Sequence, residues 1–202
     1  MKEFKTIRTD ATSEFTEQKS RFISYAAGVS SAEEAEGFLA RVRAEHPQAR
    51  HVCYAYRLHA PSTEKASDDG EPQGTAGAPI LGVLQKEGLE DVCIAVVRYF
   101  GGILLGAGGL TRAYAKACAD GVTAAGKAVC KPAVRLEIEM PYRFFETVTR
   151  LLPEPEQKRF DTAARVVVLL PESEVETMQR AVREACAGQA VIKEIERTYA
   201  RF

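Results

Sequence analysis

The chain has 202 residues, longer than the commonest single-domain size of about 100 to 150, so one large domain or two small ones are both open. Its 46% apolar and 27% charged residues exclude a disordered chain and require a real core. With 27 Lys and Arg against 28 Asp and Glu, it is no polycation, and any nucleic-acid contact has to come from a local patch.

Met1 is followed by Lys2 and Glu3 with no apolar signal region, and no apolar run approaches the roughly 18 residues of a membrane span. The five cysteines, Cys53, Cys93, Cys118, Cys130 and Cys186, form no C-x-x-C pair. Together these predict a reducing, cytoplasmic setting and no membrane partner.

In chain order, Phe15 to Val29 reads as extended chain. Ser30 or Ser31 with Glu33 or Glu34 then forms a capping box that opens a helix carrying Ala35, Phe38, Leu39 and Val42 on one face and ending at Pro47. His51 to His59 alternates, with Val52, Tyr54, Tyr56 and Leu58 on one side and His51, Cys53, Arg57 and His59 on the other, which predicts a strand with one polar face. Residues 60–75 are dense in turn formers and predict a long ordered loop. Ala76 to Lys86 has helical spacing, Val92 to Tyr99 is a short β-branched run suited to a buried strand, and Leu110 opens a helix whose small residues allow close approach to a sheet, stopping near Gly126.

After Lys131-Pro132 the pattern restarts: strand Val134 to Met140, helix Tyr142 to Leu152, two strands around Asp161 and Thr162, helix Ser173 to Cys186, strand Gln189 to Tyr199. The order is βαββαβ, the split unit of ferredoxin-like domains. Ser173 with Glu176 is a capping box for the last helix, and Gly188 its stop. The predicted domains are 1–131 and 132–202.

Three segments carry candidate chemistry. The first runs from Arg98 to Arg112 and contains Gly101, Gly102, Gly106, Gly108 and Gly109. Glycines between a strand and a helix permit close backbone approach and leave N–H groups free for an anion, and Arg98, Arg112 and Lys116 are the cations that accompany them. The same glycines also suit a tight turn with close packing, and neither a Rossmann nor a Walker pattern is present. The second is Asp68-Asp69-Gly70-Glu71, open to four readings: a magnesium site, general acid/base work, a self-capped turn, or an Asp that positions Arg57 or Arg98. No ligand set is specified, and neither a metal nor a cofactor is expected. The third is His51 beside Cys53, which would be a nucleophile only if the thiolate were activated; His59 is a weaker candidate.

Ser20-Arg21-Phe22-Ile23, Arg50 through Tyr56, Asp68 through Gly77 and Arg98 through Tyr114, taken together, closely resemble the IMPACT family in its bacterial YigZ-like branch. The resemblance covers about residues 15–130. It implies an α+β protein of two domains: an N-terminal ribosomal-protein-like α/β domain, as in elongation factor G domain IV, and a C-terminal ferredoxin-like domain, as in its domain V. It implies a regulator of translation, since eukaryotic relatives bind the activator of an amino-acid-starvation kinase, and it supplies no established catalytic residue.

The expected function is therefore a translation-associated regulatory protein that binds RNA, the ribosome or a ribosome-bound partner. The expected surface comprises Arg98, Gly101, Gly102, Gly108, Gly109, Arg112 and Lys116, supported by one mixed-charge cleft of Arg50, His51, Cys53, Arg57, Asp68, Asp69 and Glu71. The alternative is an enzyme acting on a phosphate-bearing small molecule or nucleotide, because the implied fold also supports kinases.

Overall fold

The computed structural model describes residues 2–202. They form two compact units, Phe4–Val129 and Cys130–Phe202, the second joined by residues 2–3.

The first unit runs β1 (Phe4–Ile7), β2 (Ala11–Glu17), β3 (Ser20–Gly28), α1 (Ala32–Glu45), β4 (His51–Leu58), β5 (Thr63–Ser67), α2 (Gly77–Glu87), β6 (Val92–Tyr99) and α3 (Gly106–Ala125). Five strands make an antiparallel sheet in the order β2-β3-β6-β4-β5. The apolar run of β6 is central because it is buried on both faces. Val92, Ile94 and Val96 join Ile80 and Leu84 of α2 and Leu110, Tyr114 and Val122 of α3, while Cys93, Ala95 and Val97 join Phe38, Leu39 and Val42 of α1. At Gly121 a Cβ would lie 2.4 Å from the Ser24 hydroxyl, so α3 approaches β3 as closely as a missing side chain allows.

The capping box resolves to Ser31, whose hydroxyl accepts from the Glu34 N–H at 3.1 Å, while the Glu34 carboxylate accepts from the Ser30 N–H at 2.7 Å. Four expectations need correction. Strands β1 and β2 begin well before Phe15. Strand β2 turns into β3 through Gln18 and Lys19, both at positive φ (44° and 64°), a turn that an Asn-Gly pair would have announced. The expected loop 60–75 contains β5, paired with β4 from Tyr54 to Leu58. Its turn formers end at a tight bend rather than filling the segment. The expected polar face of β4 is core only at its centre: Cys53, with its neighbour Ala55, is fully buried against the α2 and α3 layer, while His51, Arg57 and His59 are half-buried. Finally, α3 begins at Gly106, so Gly108 and Gly109 belong to its first turns and not to a loop.

The second unit runs β7 (Lys127–Met140), a 3-10 turn, α4 (Phe145–Thr149), β8 (Gln157–Phe160), β9 (Ala164–Pro171), a second 3-10 turn, α5 (Val175–Ala185) and β10 (Val191–Arg201). The order is βαββαβ, and the sheet order is β10-β7-β9-β8, all antiparallel. The boundary between the units falls within β7. Lys131 and Pro132 thus lie inside a continuous strand instead of a turn. Leu136, Ile138, Met140, Val166 and Val168 face Val148 and Val182. On the alternate positions Arg135 pairs with Glu156 at 2.7 Å and Arg165 with Glu139 at 2.7 Å. Ser173 does not cap α5: a 3-10 turn over Glu172–Glu174 precedes it, with Glu174 at the cap position. Gly188 does end it, its N–H donating to the Arg183 carbonyl at 2.8 Å. Among the described residues no helix is long and apolar enough to cross a membrane.

Candidate functional site

The acidic bend after β5 is held by its own charges. The Asp68 carboxylate accepts from the backbone N–H groups of Gly74, Ala76 and Gly77 at 2.8, 3.0 and 2.8 Å, which anchors the start of α2. Burial works against its ionised form, yet those three donors hold its pKa below the ordinary carboxylate range. Asp69 accepts from both terminal nitrogens of Arg43, at 3.0 and 2.9 Å, and from the Val52 N–H at 2.7 Å. Its pKa is also lowered, Arg43 and Val52 outweighing the opposing effect of burial. Among the described residues no cluster of three His, Cys, Asp or Glu groups is placed to hold a metal.

Glu71 is the buried member of the bend. One of its oxygens accepts from Arg98 at 2.7 Å and from the Tyr114 hydroxyl at 2.8 Å, with the Arg98 and Glu71 side chains only 7% and 3% exposed. The guanidinium of Arg98 lies over Phe22 and Phe100, 5.6 and 5.5 Å from the ring centroids. Arg98 is therefore a strut under the site. Cys53 donates to the Asp68 carbonyl at 2.9 Å, and burial pushes its thiol up to about 12, which leaves it neutral and unreactive at ordinary pH.

His51 joins the bend as well. Its Nδ1 donates to the Asp69 carbonyl at 2.9 Å, which in the neutral ring leaves Nε2 as an acceptor. The structure thus brings His51, Cys53, Asp68, Asp69, Glu71 and Arg98 together. Arg57 stands apart, donating to Glu64 at 2.6 Å and to the Leu89 carbonyl at 2.8 Å. Lys116 pairs with Asp120 and sits 4.2 Å from the Phe15 ring centroid. His59 pairs with Glu90.

The segment between β6 and α3 is the opposite case. Phe100, Ile103 and Leu104 are 53%, 41% and 85% exposed. Gly101 is required by close approach: a Cβ there would stand 2.0 Å from the Lys19 carbonyl carbon and oxygen, so the β2-β3 turn clamps the base of the tip. Gly102 and Gly106 have positive φ, whereas Gly108 and Gly109 are helical and have no such constraint.

Two depressions flank this tip. One of about 570 Å³ is lined by Gln48, Arg50, His51, Arg98, Tyr99, Phe100 and Leu104, with no carboxylate. The other, of about 160 Å³, holds Arg112 and Lys116 beside Phe15, Gln18 and Glu17. Arg98 and Arg112 therefore line different depressions rather than one anion site. Among the described residues Arg50, Arg112 and Lys19 are exposed and make no ion pair, unlike Arg43, Arg57 and Arg98 of the same unit. Sequence reasoning did not single out Lys19, Gln48, Phe100, Leu104, Arg43 or Tyr114. Only Phe100, an aromatic directly before a glycine, carried a readable signal.

Residues 18–122 match the Impact N-terminal domain. The chain is 35% identical to the IMPACT family member YvyE of Bacillus subtilis (strain 168), over 96% of this chain and 92% of that protein. It is 51% identical to the IMPACT family member YigZ of Escherichia coli (strain K12), over 48% of this chain and 49% of that one. A crystal structure of a hypothetical protein superimposes with a TM-score of 0.65 at 32% identity, covering 97% of this chain and 98% of its own. With one domain model spanning half the chain and a relative matched almost end to end, the chain belongs to the IMPACT family.

Proposed function

We propose that this protein is a translation-associated regulatory protein that contacts RNA, on the ribosome or beside it, through the tip at residues 100–105 and the cations around it. The observation that carries the reading is the separation of charges. Arg43 and Arg98 are neutralised by Asp69 and Glu71, while Arg50, Arg112 and Lys19 at the borders of the tip have no carboxylate partner among the described residues. An unpaired exposed cation beside a rigid turn is a phosphate contact that needs no rearrangement. The first turn of α3, rich in glycine and without a side-chain cap, adds backbone N–H groups of the same polarity.

In this reading the two units are akin to elongation factor G domains IV and V, and the regulatory role is the one implied for the family. The surface differs from the sequence-based expectation in one respect: Arg98 and Lys116 support it, and Arg50 and Lys19 replace them as contacts. The enzyme alternative gains no observation, because the carboxylates of the acidic bend are already engaged.

The test is ribosome co-sedimentation and RNA filter binding over a salt series. Three phosphate contacts predict that log K falls with log salt with a slope of about −2 on single strands. Replacing Arg50 and Arg112 by alanine should reduce that slope to about −0.7 and weaken binding across RNA sequences alike. A folded double variant that binds like wild type would remove the surface from consideration.

A further inference from the structure

Resting on that reading, we infer that the larger depression is a site for one unpaired RNA nucleotide, its base stacked on Phe100 and its phosphate held by Arg50. The argument starts from the ring. Phe100 is 53% exposed beside Ile103 and Leu104, 41% and 85% exposed, so the tip presents a run of apolar side chains and not a lone one. The ring is also fixed in place. The Arg98 guanidinium, buried and paired with Glu71, stands 5.5 Å from the ring centroid, and Gly101, pressed against the Lys19 backbone, fixes the chain directly after Phe100. An aromatic held between two anchors presents its face at little further cost in conformational entropy.

The surroundings select the occupant. The depression of about 570 Å³ falls in the range of small-molecule sites and suits a nucleotide rather than a helix or a duplex. Its lining carries Arg50 and no carboxylate, which suits an anionic group such as a phosphate. The His51 ring and the Gln48 amide supply polar groups able to meet a base edge or a ribose hydroxyl. Leu104, 85% exposed, closes the apolar side. In a duplex both faces of a base are stacked on its neighbours, so this site takes only unpaired nucleotides.

The experiment uses the full chain with a short unpaired oligoribonucleotide bearing 2-aminopurine and a blunt-ended RNA duplex of equal length. Wild type should bind the unpaired strand more tightly and change the 2-aminopurine emission on binding. Phe100→Leu, which keeps an apolar side chain without the ring, should weaken unpaired-strand binding about tenfold and abolish the emission change, leaving duplex binding as it was. Phe100→Tyr should restore both, and thermal melting should show all variants folded. If Phe100→Leu binds both RNAs like wild type while the Arg50 and Arg112 double variant fails, RNA is held by phosphates alone: the stacking inference is overturned and the broader reading stands. If wild type binds neither RNA, both fall.

Discussion

Two neighbouring turns of the first unit carry opposite messages. The acidic bend, Asp68 to Glu71, has the residue types of a catalytic or metal site, yet each carboxylate is spent on holding the fold: Asp68 on three backbone amides, Asp69 on Arg43 and β4, Glu71 on Arg98 and Tyr114. The glycine-rich tip has the composition of a plain connector, yet Phe100, Ile103 and Leu104 stand exposed on it, and Arg50, Arg112 and Lys19 beside it make no ion pair among the described residues. Charge content alone does not locate a site. What matters is whether the charge is already satisfied inside the protein, because a satisfied group has little free energy left to offer a ligand.

The sharpest way to break this contrast is Glu71→Ala. It leaves the Arg98 guanidinium buried without its counter-ion, and about 3 to 5 kcal/mol of stability should be lost in urea unfolding. Glu71→Gln, which retains an acceptor for Tyr114, should lose less. A near-neutral Glu71→Ala would mean that the bend is not a scaffold. Gly101→Ala comes next. A Cβ placed 2.0 Å from the Lys19 carbonyl has to displace backbone, and about 1 to 3 kcal/mol should be lost, whereas Gly108→Ala, within α3, should be neutral or stabilising.

Acid sharpens the same contrast. Asp68 and Asp69 have folded-state pKa values below the ordinary 3.8, so their contribution to stability is fully present above that value and is lost as pH falls through their lowered range. Asp68→Asn should flatten the stability profile below about pH 4 relative to wild type, read by thermal melts over a pH series. The smallest effects belong to the tip. Arg50→Ala and Phe100→Leu should each change stability by no more than about 0.5 kcal/mol, while affecting RNA binding as described above. Cys53, with its thiol pushed up to about 12, should label negligibly with iodoacetamide in the folded protein at neutral pH and rapidly once unfolded.

The sequence alone determined the elements with strong local patterns. The β-branched run of β6, the apolar face of α1 with its Ser31 and Glu34 box, and the βαββαβ order of the second unit are each set by periodicities of two or 3.6 and by caps within a few residues. The IMPACT resemblance was legible for the same reason, being carried by contiguous motifs. Only the tertiary structure decided what those motifs do. That Cys53 faces a helical layer, that Arg98 meets Glu71 across 27 positions and Ser20 across 78, and that the Gln18-Lys19 turn rests on Gly101 are long-range facts. No local pattern encodes which charge finds a partner. Burial and pairing arise only when distant segments are packed together, and they separate the arginines that hold this fold from those left free to bind.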